Sequence, residues 1–158
     1  MDTRAQARGT ARQLVNLTRF GDLDTVSLMV RLLADPEQRT QLRRILIELL
    51  QASAAMVLRQ IGGEDPGDAI MLDLRRADGS TVDIDQLRPE VRAMVRALLA
   101  ETHEHPEDTE DQVALALAGQ PAGLTEGITM VLMWTVSALH WCETHDEPTP
   151  GWLDTTAV

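Results

Sequence analysis

Lysine and tyrosine are absent from this sequence, and phenylalanine and cysteine occur once each. All fourteen basic residues are arginine, which a GC-rich coding bias explains more simply than adaptation to salt. Only 3% of the residues are aromatic, so aliphatic and methionine side chains must fill the interior. The single Cys142 excludes an internal disulfide, and the first residues contain no apolar run of the kind that a signal peptide needs. We therefore expect a protein of the reducing cytoplasm.

Motifs of nucleotide and metal chemistry are also missing. The sequence contains no G-x-G-x-x-G, no G-x-x-x-x-G-K-[ST] and no H-E-x-x-H. Nucleic-acid binding depends on clustered basic residues, whereas this chain carries a net charge of −11. We therefore predict neither nucleotide chemistry nor a nucleic-acid partner.

Charge is distributed unevenly along the chain. Residues 1–60 hold nine Arg and six acidic residues, and residues 61–100 hold five Arg and eight acidic residues. Residues 101–158 hold eleven acidic residues and no basic one. One interpretation is a solvated acidic surface that keeps the protein soluble. The other is an acidic C-terminal third that faces the basic N-terminal third, within one molecule or between two.

Apolar residues recur at helical spacing over most of the chain, and capping residues mark the boundaries. The length of 158 residues is typical of one domain. We predict a mainly α fold, a bundle of about six helices in a single domain, residues 1–158, with flexible or loosely packed termini at 1–10 and 146–158. The predicted helices cover 3–20, 23–34, 36–61, 87–102, 109–118 and 127–142.

The longest uncharged run is GITMVLMWTVSALHWC, residues 127–142, which contains two of the three tryptophans. Its apolar residues occupy all sides of a helix, and this pattern predicts a core helix that is buried all round. Sixteen residues span about 24 Å, which is less than the roughly 30 Å of a bilayer core. We therefore expect a central helix of the bundle and no membrane span.

The spacing of apolar residues changes from helical to alternating over 69–85. Apolar residues take every second position on both sides of the turn sequence ADGS. We therefore predict one β-hairpin insertion at about 69–85. A lone hairpin is marginally stable in water, so we expect it to lie on the helices or to pair with a second copy.

The best candidate for chemistry is a group of histidine and acidic residues in two segments, 101–108 and 140–145. Imidazole and carboxylate groups bind divalent metals, so His103, His105 and His140 are the candidate metal ligands. Their spacing is unfavourable, because His103 and His105 would point to nearly opposite faces of a helix. The Glu-x-x-His motif of di-iron bundles is also missing.

Other charged or reactive positions have simple structural interpretations. Cys142 lies near His140 and His145, but no nucleophile-and-base signature surrounds it, so we expect it to pack as a small apolar side chain. Two groups of arginine are candidates for binding an anion or an acidic partner. We favour a solvated helix surface for the first group and pairing with the chain's own carboxylates for the second. The groups are Arg4, Arg8 and Arg12, and Arg39, Arg43 and Arg44.

The apolar helix surface exceeds what one small bundle covers, and large exposed apolar patches usually become interfaces. We therefore predict a non-catalytic, intracellular interaction or accessory domain with a protein partner, which self-associates as a homodimer. No catalytic residue and no cofactor are predicted. The alternative hypothesis is a small metal-dependent enzyme or metal-binding protein that uses the two histidine segments. A third hypothesis is an acidic regulator that covers a basic surface of its partner.

Overall fold

The computed structural model describes residues 2–61 and 84–153, and these ranges form α-helices joined by short turns. The α-helices of the described ranges are α1 (Thr3–Arg19), α2 (Leu23–Leu33), α3 (Arg39–Ile61), α4 (Pro89–Thr102), α5 (Pro106–Leu117) and α6 (Pro121–Thr144). Short 3-10 turns cover Pro36–Gln38, Ile84–Gln86 and Gly151–Leu153. The prediction of a mainly α protein is therefore confirmed.

The β-hairpin predicted for 69–85 is the part of the fold class that is wrong. No residue of 2–61 or 84–153 lies in a strand. Where the second strand was predicted to end, Ile84–Gln86 forms a 3-10 turn that leads into α4. Pro89, whose fixed φ suits the first turn of a helix, starts α4 three residues after this turn, so the segment connects to a helix and extends no strand. The remainder of the predicted hairpin, residues 69–83, falls outside the described residues.

Aspartate caps and prolines set the starts of the helices. Helix α6 begins at Pro121, six residues before its predicted start at 127. Asp2, Asp22 and Asp35 each accept a hydrogen bond from a backbone N–H of the first turn that follows. Proline stands in the first turn of α4, α5 and α6. Gly21 makes the turn between α1 and α2 with φ of +79°, a backbone conformation that only glycine adopts at no cost.

Helix α5 begins earlier than predicted, at Pro106 instead of Thr109. The Thr109 side chain is buried, and its Oγ1 donates to Glu101 Oε2 at 2.9 Å, so it caps no helix. His105 takes the position before the first turn without a side-chain cap. The preorganised backbone of Pro106 starts the helix in place of a capping side chain.

Helix α3 forms the middle of the bundle and packs against α1, α4, α5 and α6. The sequence predicted its apolar seam, and the seam is buried from Leu42 to Met56. A buried hydrogen bond of 2.8 Å joins Ser53 Oγ to Thr135 Oγ1 across the contact with α6. Because Thr135 Oγ1 donates to Val131 O, Ser53 is the donor in this pair. The central helix is therefore α3, whereas the sequence had pointed to α6.

Helices α4 and α6 approach closely at the start of α6, where glycines replace larger side chains. Glu90 of α4 is 6% exposed and fills the space that a Cβ on Gly119 or Gly123 would take. Its Oε1 accepts a hydrogen bond of 2.7 Å from Gln120 N, at the positive end of the α6 dipole. Gln120 provides no side-chain cap of its own. The Glu90 carboxylate therefore takes that role from a neighbouring helix.

After α6 the chain turns back towards α1. The Trp152 ring packs against the core, and the Leu153 side chain is buried. The Arg8 guanidinium lies 5.4 Å from the centre of the Trp152 ring, within the range of a cation–π contact. The C-terminal turn is thus attached to the first helix.

We expect Gly123→Ala to lower the free energy of unfolding by about 1–3 kcal/mol, because the added methyl group overlaps the Glu90 carboxylate. Gly9→Ala is the matched control, since a Cβ at Gly9 meets no atom within 4 Å. This control should raise the free energy of unfolding by up to about 1 kcal/mol through helix propensity. Urea unfolding followed by circular dichroism measures both, and equal effects of the two substitutions would contradict the assignment.

Candidate functional site

The candidate metal ligands occupy three different structural positions. His103 caps the C-terminal end of α4, where its Nδ1 donates to Leu99 O at 2.7 Å. His105 precedes the first turn of α5, and Glu104 between them adopts φ of +60°. His140 lies exposed on α6. The turn between α4 and α5 therefore separates the first two imidazoles, and the third belongs to another helix.

A shallow depression of about 190 Å³ accompanies this turn. It is lined by Glu104, His105, Pro106, Glu107 and Asp108. Within residues 2–61 and 84–153, no three His, Cys, Asp or Glu side chains converge in a way that could hold a metal ion. The metal-binding hypothesis therefore stays a prediction, and the described part of the chain contains no set of converging ligands that supports it.

Cys142 is buried in α6, and its surroundings oppose activation as a nucleophile. Burial raises the pKa of the Cys142 thiol, Arg59 lowers it, and the nearby Glu147 and Glu143 carboxylates raise it further. The His145 ring stacks on Trp141 at 4.2 Å between ring centres. Its Nδ1 is 2.9 Å from Trp141 O. The thiol is therefore inert at neutral pH.

Two members of the first arginine group, Arg4 and Arg8, are used inside the molecule. Glu48 of α3 has a buried carboxylate, which accepts hydrogen bonds from Arg4 Nε at 2.7 Å and from Arg8 Nε at 3.0 Å. Arg8 also contacts Trp152, so one carboxylate connects the first helix, the central helix and the C-terminal turn. Pairing with the chain's own carboxylates is therefore the role of Arg4 and Arg8. Arg12 is exposed.

The second arginine group stands beside an open polar groove between α1 and the start of α3. Its volume is about 670 Å³. Arg44 lines this groove, and Arg43 pairs with Glu110 at 3.5 Å. The other lining residues are mostly amides and hydroxyls: Thr3, Gln6, Thr10, Gln13, Glu37, Thr40 and Gln41, with Ala7 and Gly9. The lining therefore offers mainly hydrogen-bonding groups, with Arg44 and Glu37 as its charged residues.

Helix α6 presents an exposed face, contrary to the expectation that it is buried all round. Only one side of α6 packs on the bundle, and half of its most apolar stretch of 18 residues is buried. The outer side contains four exposed residues at helical spacing: Thr129, Met133, Ser137 and His140. Three half-buried side chains, Met130, Trp134 and Trp141, border them. We call these seven residues the α6 face.

The α6 face carries no acidic or basic residue over a length of about 18 Å, from Thr129 to Trp141. The charged residues nearest to its two ends are held in ion pairs. Glu126 Oε2 is 3.1 Å from Arg88 Nε, and the Glu143 carboxylate binds Arg19 Nη2 through both oxygens at 2.8 Å. Both pairs join an Arg of the N-terminal two-thirds to an acid of the C-terminal third, as Arg43–Glu110 also does. The predicted facing of basic and acidic segments therefore occurs within one molecule.

A second exposed apolar group lies on and before α2, a helix that packs against α1, α3 and α6. Phe20 is 82% exposed, and Leu28 and Leu32 lie one helical turn apart at the surface. Leu23 is exposed as well, although the sequence had placed it on the buried stripe. Sequence reasoning missed this group because periodicity identified the buried stripe, whereas Leu28 and Leu32 stand beside it.

Comparisons with protein-family models, with curated proteins and with solved structures find no match to this chain. Helix α6, at 24 residues, is long and apolar enough to cross a membrane by length and composition alone. The length argument against a membrane span, made for 16 residues, therefore does not apply to the helix as it is.

We expect Glu48→Gln to lower the free energy of unfolding by about 1–3 kcal/mol, because it removes the charge that holds Arg4 and Arg8. Glu37→Gln is the control, since Glu37 is exposed and forms no ion pair within the described ranges. The control should change the free energy by less than about 0.5 kcal/mol. Chemical denaturation gives both values, and hydrogen exchange should increase in the first turns of α1 for Glu48→Gln only. Unchanged exchange there would contradict the role assigned to Glu48.

We expect thiol reagents at pH 7 to modify Cys142 of the folded protein at least about 100-fold more slowly than in denaturant, because reaction requires local opening. The raised pKa acts in the same direction, since it lowers the thiolate fraction at neutral pH. Absorbance of released thionitrobenzoate follows the reaction. Rapid modification of the folded protein would show that Cys142 is accessible and activated.

Proposed function

We propose that this chain is a non-catalytic helical interaction domain that self-associates through the α6 face. One observation carries the proposal: a long, uncharged and partly apolar helix face lies at the surface of a protein whose net charge is −11. Monomeric soluble proteins rarely leave extended apolar surface in water, and such surface usually marks a contact with another macromolecule.

The composition of the α6 face supports a protein partner. Met133 is 49% exposed, and Trp134 and Trp141 contribute aromatic surface at its border. Tryptophan and methionine are enriched in the cores of protein interfaces, where charged residues are depleted. Methionine is also flexible enough to fit an irregular partner surface.

The ion pairs near the ends of the α6 face support the same function. Arg88 neutralises Glu126, and Arg19 neutralises Glu143, so the charged residues nearest to the two ends of this face are already paired when it is covered. Exposed ion pairs remain at the polar rim, where a typical interface keeps them. Within the described ranges, the Cys142 thiol is buried and its pKa is raised, so it gives no support to a catalytic role.

We expect Met133→Arg to abolish or strongly weaken self-association, because burying an unpaired cation in an apolar contact costs several kcal/mol. Size-exclusion chromatography with light scattering, over a concentration series of about 1–500 μM, measures the molar mass. The wild-type chain should reach the mass of a dimer as the concentration rises, and Met133→Arg should remain at 17.4 kDa plus the added side-chain mass.

Leu115→Arg is the matched control for this experiment. Leu115 is a large apolar residue, 61% exposed, on a different helix, α5. The same charge introduced there should leave the dimer intact. A wild-type chain that stays monomeric over the whole series would refute self-association. Equal loss of the dimer in both variants would show that the contact does not depend specifically on the α6 face.

A further inference from the structure

We propose that two copies pair with their α6 helices antiparallel, so that the N-terminal end of one face meets the C-terminal end of the other. This inference rests on the proposed function and adds the partner and its orientation. The occupant of the α6 face is a second copy of this chain, and the argument depends on how charge is distributed between the two ends of α6.

The two ends of α6 differ in charge. Near the N-terminal end, Glu126 is balanced by Arg88. The C-terminal end carries Glu143, which pairs with Arg19, and then Asp146 and Glu147, for which the described ranges contain no ion pair. Parallel pairing would bring two such acidic ends together, and like charges at close range repel. Antiparallel pairing separates them by the length of the helix.

Arg88 can stabilise the antiparallel arrangement through an ionic contact with the second copy. Its side chain is 58% exposed, so it can contact a second carboxylate while it remains next to Glu126. In the antiparallel pair, the acidic C-terminal end of the second copy lies beside Arg88. The same contact occurs twice, because a two-fold interface repeats every contact.

The shape of the α6 face agrees with a two-fold axis near its centre. The point midway between Glu126 and Glu143 lies between Met133 and Ser137. Around this point, the long Met133 side chain of each copy faces the small Ser137 of the other. Pairing a large side chain with a small one allows close packing of two helices without overlap.

Spin labels at the two ends of the α6 face test the orientation. Ala122→Cys and Thr144→Cys introduce label sites at exposed positions, and Cys142 stays unlabelled because it is buried. From a rise of 1.5 Å per residue, antiparallel pairing predicts about 40 Å between two labels at 122 and about 29 Å between two labels at 144. A mixture of the two labelled variants should add a distance below about 20 Å.

Parallel pairing predicts the opposite pattern: distances below about 20 Å in each single variant, and about 33 Å across the mixture. Double electron–electron resonance at a concentration that gives dimers measures all three samples. Each labelled variant is first checked for dimer mass by light scattering. The parallel pattern, or long distances in every sample, would overturn the antiparallel pair while self-association stands. A monomer at all concentrations for the unlabelled chain would refute the proposed function itself.

Discussion

Burial of the α3 seam is the interaction on which the rest of the described structure depends. Leu42, Ile45, Leu46, Leu49 and Leu50 have no exposed surface, because α1, α4, α5 and α6 surround them. Each such side chain contributes about 1.5–3 kcal/mol when it leaves water. With so few aromatic residues, this aliphatic seam supplies much of the core. One helix at the centre implies that the others each bury one side only, and this is why α6 keeps an outer face.

Two buried carboxylates fix the helices around that seam. Glu48 joins α3 to α1 through Arg4 and Arg8, and Arg8 carries the connection on to the C-terminal turn. Glu90 joins α4 to the start of α6, where glycines leave room for it and a backbone N–H binds it. In both places a charge is tolerated in the interior because a positive group or an oriented N–H meets it. These contacts determine which helices are neighbours, a choice that apolar packing alone leaves open.

The exposed surface divides into an acidic part and an uncharged part, and this division gives the proposed function its physical basis. Arginines from the N-terminal two-thirds neutralise acids beside the α6 face, whereas the acidic residues around the α4–α5 turn remain in solvent. A strongly negative surface opposes indiscriminate association. The uncharged α6 face within it favours association there. The candidate groups for chemistry are dispersed in the described part of the chain: His103 caps a helix end, His105 precedes α5, His140 is exposed on α6 and Cys142 is buried.

The sequence by itself determined the helices, because spacing, aspartate caps and prolines act over a few residues. It failed at Pro106, where a preorganised backbone began α5 ahead of the capping pattern, and at Ile84–Gln86, where alternation suggested a strand and the chain forms a turn into α4. Only the tertiary structure decided which side of α6 is exposed, because the sequence of a helix that is apolar on all sides does not indicate which side packs on the bundle. It also decided that Glu48 and Glu90 are buried, since their partners lie 40 and 30 residues away along the chain and only folding brings them together.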